Sequence, residues 1–240
     1  EDYIVRAYSL PAKYGNIAKV HLVQDDQLNK STGTDELERV VTQDDVDNQR
    51  TIKSLQVRTP NPLAMNMYTL GFDSNKKLTN LNQTVKENLK TYLSQYRLVT
   101  DAVNIKDAYV INIAVNFAIL TKSEVPKNDV LLRCVAAIKD FFDIDRWQIG
   151  QPIVLSDIAY ELSLVDGVAS VVPPIDSDTV IKIENKYKAA EGYSGNFYDI
   201  KNSMIDGVLY PALDPSIFEI KYPNTDIKGK VVGDNQGVVE

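Results

Sequence analysis

Residues 109–120 read YVINIAVNFAIL, and this stretch decides the fold. Ile111, Ile113, Val115, Phe117 and Ile119 alternate with Asn112, Ala114, Asn116 and Ala118. Successive side chains of a strand point to opposite faces, so a period of two makes this a strand with one large apolar face and one small, amide-bearing face. The apolar face requires helices over it. The amide face is either wet or covered by something outside the helical core.

Helical patterns flank the strand. Upstream, residues 78–99 carry Leu78, Leu81, Val85, Leu89, Tyr92, Leu93 and Tyr96 at spacings of three and four, with Lys86, Glu87 and Lys90 off that stripe. Downstream, Asn128 to Asp143 places Leu131, Val135, Ile138 and Phe142 inward. Residues 150–172, GQPIVLSDIAYELSLVDGVASVV, follow. There Ser156 reads as an N-cap and Asp157 complements the helix dipole. Ile158, Leu162 and Val165 form the stripe, and Gly167 ends the helix in left-handed geometry. Val168, Val171 and Val172 then suggest a strand, closed by Pro173-Pro174.

Two strands precede the first helix: NIAKVHLVQ (16–24) and LAMNMYTLGF (63–72), the second ended by Gly71 and Asp73-Ser74-Asn75. The order β-β-α-β-α-α-β predicts an α+β fold with an antiparallel or mixed sheet and helices on one face, best matched by a ferredoxin-like split βαβ core. That core is expected over residues 1–174, with an acidic insert at 24–62. Residues 175–240 read as a β-rich aromatic extension with no helix of any length and too few aliphatic residues for a core of its own. Tyr187, Tyr193, Phe197, Tyr198, Tyr210, Phe218 and Tyr222 make it a candidate contact surface, because aromatic rings supply large area at modest entropy cost.

A chain of 240 residues buries roughly 70–75% of its unfolded surface and needs no disulfide or metal to fold. The single cysteine excludes an internal disulfide and any multi-cysteine metal site. Cys134 lies at helical spacing from Val130, Ile138 and Phe141, as a buried structural thiol does. No run reaches the ~20 apolar residues of a membrane span, and no signal peptide is recognisable. A formal charge of −7 argues against a nucleic-acid binder, which needs a basic face. Residues 24–50 hold eight acidic and three basic residues, so −5 of that charge sits in the insert, and the stretch reads as a solvated arm.

Motifs with chemistry in them are scarce. His21, the only histidine, sits mid-strand, where an ordinary strand residue is the simpler reading than a catalytic base. The STGT stretch at 31–34 lacks the lysine and second glycine of a phosphate loop. Asp44-Asp45-Val46-Asp47-Asn48 lacks the glycine and distal glutamate of a calcium loop. Asn29 and Asn82 open glycosylation patterns that have no secretory context. Asp143 and Asp145 beside Trp147 imitate a glycosidase pair, but a helix-terminal turn accounts for them. The expectation is no enzyme, no cofactor and no metal.

Two stretches carry a resemblance. LSQYRLVTDAVNIKDAYVINIAVNFAI (93–119) and IGQPIVLSDIAYELSLVDGVASV (149–171) resemble the two halves of the baseplate J-like family, through Asp101 to Ile105, the alternating strand, Gly150, Pro152, Ser156, Gly167 and Val168. With NPLAMNMYTLGFD (61–73) and LYPALDPSIFEIKYPNTDIKGKVVG (209–233) added, residues 3–233 are similar to the C-terminal portion of baseplate wedge proteins of T-even-type contractile-tailed phages. The resemblance implies a structural protein of the virion tail, assembled in the bacterial host cytoplasm, that joins wedges into a ring around the hub. It also implies a role in the rearrangement that triggers sheath contraction. Homodimer contacts and contacts to other wedge proteins are implied, and no catalytic residues. The competing readings are a host-surface binding module and a tail-associated hydrolase.

Overall fold

The computed structural model describes residues 2–24, 41–42, 64–96, 102–123, 125–174 and 177–232. The acidic insert, with the STGT stretch, the Asp44–Asn48 run and Asn29, therefore lies outside the described residues apart from positions 24, 41 and 42. The architecture is mixed α+β. The chain forms two compact units, one of residues 1–110, 148–150 and 212–217, the other of residues 111–147, 151–211 and 218–240. The division does not run at Pro174. Residues after it mostly join the strand and helices before it, as their shortage of aliphatic side chains requires.

In the first unit, β2 (Ala64–Phe72) is the central strand. It pairs antiparallel with β1 (Lys19–Gln24) in the register Lys19↔Leu70 to Gln24↔Met65. On its other side it pairs parallel with β4 (Ala102–Asp107), from Ala64↔Ala102 to Thr69↔Asp107. The periodicity of the sequence does not flag β4, nor the N-terminal helix α1 (Asp2–Tyr8). Parallel neighbours need a crossover, which α2 (Gln83–Ser94) provides. No strand lies between β2 and β4, so this βαβ unit is not split.

Helix α2 starts later than the stripe predicts. Leu78–Thr79 forms β3, paired with Gly71↔Thr79 and Phe72↔Leu78. The turn between them is held by Asp73, whose Oδ1 accepts from the Asn75 and Lys77 amides at 2.7 and 2.8 Å. Asn82 then caps α2 by accepting from the Thr84 amide at 3.2 Å. Leu81, Leu89 and Leu93 join Ala7, Leu10, Ile17, Val20 and Met67 in the core of this unit.

In the second unit, β5 (Tyr109–Thr121) is central. It pairs antiparallel with β7 (Val168–Val172) and β8 (Ile181–Asn185), parallel with β11 (Ile227–Val232), and with β10 (Ser216–Glu219). Helices α3 (Lys127–Phe141) and α4 (Leu155–Leu164) pack together and against these flanking strands. Helix α3 buries Val130, Cys134 and Ile138, while Leu131 and Val135 are only half-buried. An apolar stripe wider than 100° admits either reading, and the narrower half of it faces the core. Gly229 sets how closely α3 lies: a Cβ there would collide with Phe117 and with Leu131 Cδ1.

The expected N-cap at Ser156 is not formed. Helix α4 begins two residues earlier, with Val154 at the cap position and no side-chain hydrogen bond, and Ser156 is exposed. The reason is tertiary. Ile153–Val154 forms β6, paired with β9 (Val208–Leu209), and the Leu155 amide donates to the Gly207 carbonyl at 2.9 Å. A neighbouring strand thus supplies an acceptor where the sequence suggests a serine cap. At the other end the helix stops at Leu164, with Val165 extended at the C-cap rather than in the stripe, and Gly167, at φ 96° with its Cα facing Val130, lies two residues beyond that cap.

Candidate interaction surface

Both faces of β5 are buried. Ile111, Ile113, Val115, Phe117 and Ile119 lie under the helices, while Asn112, Ala114 and Ala118 are covered on the opposite side. The residues after Pro174 provide that cover, and Asn112 holds them. Its Oδ1 accepts from the Ser194 amide at 2.8 Å and its Nδ2 donates to Glu219 Oε2 at 2.9 Å. Its backbone carbonyl accepts from the Lys186 amide at 2.8 Å and from Asn185 Nδ2 at 3.0 Å. Asn185 Oδ1 in turn accepts from the Tyr198 amide at 3.1 Å. Asn112 and Glu219 are both fully buried, so each bond is made in a medium where its loss leaves an unsatisfied group.

A second anchor is Asp226, also buried. Tyr193 Oη donates to its Oδ1 at 2.7 Å and the Tyr222 amide to its Oδ2 at 2.9 Å. Burial, then the bond to Asp226, pushes the Tyr193 phenol well above the usual tyrosine range. The Tyr193 and Tyr222 rings meet edge-to-face at 5.4 Å, and Gly192, at φ 87°, leaves room for the Tyr222 hydroxyl.

The seven aromatic candidates therefore divide. Tyr198 and Phe218 are core residues, their rings 5.9 Å apart, with Tyr198 Oη donating to the Tyr210 carbonyl. Tyr187 and Tyr193 are half-buried. Phe197, Tyr210 and Tyr222 are exposed at 39%, 48% and 41%, which leaves these three able to contact another molecule. Phe197 is braced edge-on by Tyr187 at 5.2 Å. Asn112, Asn185, Glu219 and Asp226 were not legible as anchors. Asn112 and Glu219 are 107 positions apart, and only the amide face of the strand hinted that something must satisfy it.

Further along the same face, lysines of the neighbouring strands flank β5. Across the sheet, Asn116 stands between Lys182 of β8 and Lys228 of β11, and Ala118 is beside Lys230. Asn116 Oδ1 is buried without a hydrogen-bond partner among the described residues. Glu184 lies on this face too, 3.0 Å from Lys182 and 3.7 Å from Lys186, and the hydrogen bond from Lys182 lowers its carboxyl below the usual range. Lys228 and Lys230 are exposed.

The residues considered for chemistry sit apart from one another. His21 is half-buried opposite Tyr68, and burial lowers its pKa. Cys134 is buried under α3, which raises its thiol to about 11. Asp143 Oδ1 accepts from the Asp145 amide at 3.1 Å, and the Asp143 carbonyl accepts from the Arg146 and Trp147 amides, which makes this segment a helix-terminal turn. Among the described residues no group of three His, Cys, Asp or Glu side chains could hold a metal ion, and no helix is long and apolar enough to cross a membrane. No protein-family model and no curated protein sequence matches the chain.

Proposed function

We propose that this chain is a structural component of a contractile-tail baseplate wedge, in contact with a second copy of itself and with other wedge proteins. The observation that carries this reading is the set of exposed rings, Phe197, Tyr210 and Tyr222, mounted on segments that part-buried hydrogen bonds hold in place. Rings fixed in this way lose little entropy on contact, as anchors of an assembly interface require. The resemblance across residues 3–233 supports the same reading and supplies its setting, the virion tail, with a part in the rearrangement that triggers contraction. The ferredoxin-like split βαβ core is likewise a proposal. The mixed strand directions around β5 and the helices on one face of it support that relation, whereas the unsplit βαβ unit of the first unit speaks against it there.

Sedimentation velocity of the 240-residue chain over a concentration series tests the self-contact. The expected result is a discrete dimer that Phe197→Ser with Tyr222→Ser returns to monomer. A monomer at all concentrations would remove the homodimer from the proposal. Glycan-array binding by the same chain would instead favour a host-surface module.

A further inference from the structure

We propose that the outer edge of β4, in the first unit, takes an extended segment of another protein as an added strand. One aliphatic side chain of that segment enters a cavity beside α2, and an acidic residue of it meets Lys90. Strand β4 pairs with β2 on one side, and among the described residues nothing pairs with its other side. The Ala108 amide donates to the Thr69 carbonyl of β2 at 3.3 Å. Backbone groups alternate sides along a strand, so those of Asn104 and Lys106 also point to β2, and those of Val103 and Ile105 point outward. Such an unpaired row is a template for another backbone. The opposite edge of the sheet differs, because the Val20 amide of β1 donates to the Tyr8 hydroxyl at 3.1 Å and α1 thus supplies a partner. Charged side chains, which often guard an edge, are turned away from this one. Lys106 Nζ lies over the Tyr68 ring at 5.8 Å, and Asp107 Oδ2 accepts from Lys86 Nζ at 2.6 Å.

The chemistry of the segment follows from what borders this edge. Lys90, Leu93 and Ser94 of α2 and Val103 and Ile105 of β4 line a cavity of about 120 Å³. Val103 and Ile105 stand opposite Met65 and Met67 and pack against the core of the unit, so the cavity is apolar at its base. Lys90 and Ser94 are exposed and make its mouth polar. An apolar cavity of about 150 Å³ takes a benzene molecule, so this one has room for a valine, leucine or isoleucine side chain. Every second side chain of an added strand faces the helix, and one of them enters. The ammonium of Lys90 then favours a carboxylate on a residue close to the aliphatic one. Main-chain pairing for affinity, with a pocket for alternate side chains for specificity, is the general mode of strand addition. This inference goes beyond the assembly reading and stands without it.

The test is an array of short, terminally blocked threonine-serine peptides that carry valine, leucine or isoleucine at one position and glutamate at a neighbouring one. The whole chain should bind a subset of them, and bind the same peptides less well when alanine replaces the aliphatic residue. The tightest peptide is then labelled and titrated with the chain by fluorescence anisotropy. Saturable binding is expected. Methylating the alternate peptide nitrogens that face β4 should weaken it at least about tenfold, and methylating the other set should leave it within about threefold. Lys90→Glu should weaken it about threefold to tenfold, while Lys139→Glu, on α3 of the second unit, should leave it within about twofold. Circular dichroism melts establish that both variants fold. The proposal is overturned if no peptide binds, in which case the edge is filled by the chain's own residues or by a second copy. It is also overturned if both methylated sets bind equally, if the alanine peptides bind as tightly, or if Lys90→Glu changes nothing.

Discussion

Asn112→Ala and Asn116→Ala are the same substitution on the same face of the same strand, and they should differ sharply. Removing the Asn112 side chain takes the acceptor from the half-buried Ser194 amide and a donor from the buried Glu219. The bonds to the Asn112 backbone carbonyl, from Lys186 and Asn185, survive. Losing these two bonds at about 1–3 kcal/mol each gives a loss of about 2–6 kcal/mol, a large share of the 5–15 kcal/mol that typically holds a domain. Asn116→Ala removes an acceptor that has no partner, so the loss should stay within about 1 kcal/mol. Urea unfolding followed by the fluorescence of Trp147, the only tryptophan and a buried residue of the second unit, reads both. With a urea slope of about 2–3 kcal/mol/M, Asn112→Ala should lower the midpoint by about 1–3 M. Equal midpoints for the two variants would refute the claim that Asn112 fastens the C-terminal residues to β5.

Other consequences are independent of that network. Gly229→Val should cost about 1–3 kcal/mol by overpacking against Phe117 and Leu131, read by the same urea titration. Tyr193→Phe should cost about 1–3 kcal/mol, since it leaves Asp226 Oδ1 short of its donor. Because the folded phenol binds its proton more tightly than the unfolded one, its contribution is complete below about pH 10 and lost as pH rises above it. Thermal melts from pH 8 to 11 should therefore fall more steeply for the wild type than for Tyr193→Phe. Cys134, with its thiol raised to about 11 by burial, should resist a thiol reagent at pH 8 until urea unfolds the chain. Rapid labelling of the native chain would place that thiol outside the core.

How much of this was visible in the sequence depended on how local each cause was. The alternation of residues 111–119 identified β5 and its two faces, because a strand's period is written in consecutive residues. The same holds for the buried Cys134 on its helix. The start of α4 is not legible locally because an acceptor for its first amides comes from Gly207, some fifty positions away. β4 is short and its side chains are half-buried or exposed, so no contrast of apolar and polar marked it. The aromatic candidates divide for a similar reason. Composition cannot distinguish Tyr198 and Phe218, which the core absorbs, from Phe197, Tyr210 and Tyr222, which it leaves outside. The partner of the amide face was the least legible feature, since Glu219 and Ser194 reach Asn112 only after the whole chain has closed.

The central claim, a scaffold role through the exposed rings, is most directly tested by cryo-electron microscopy of contractile tail particles assembled with this chain. The account predicts density for it in the baseplate, with Phe197 and Tyr222 buried against a neighbouring subunit. Particles that lack the chain, or that carry it with those rings facing solvent, would contradict it.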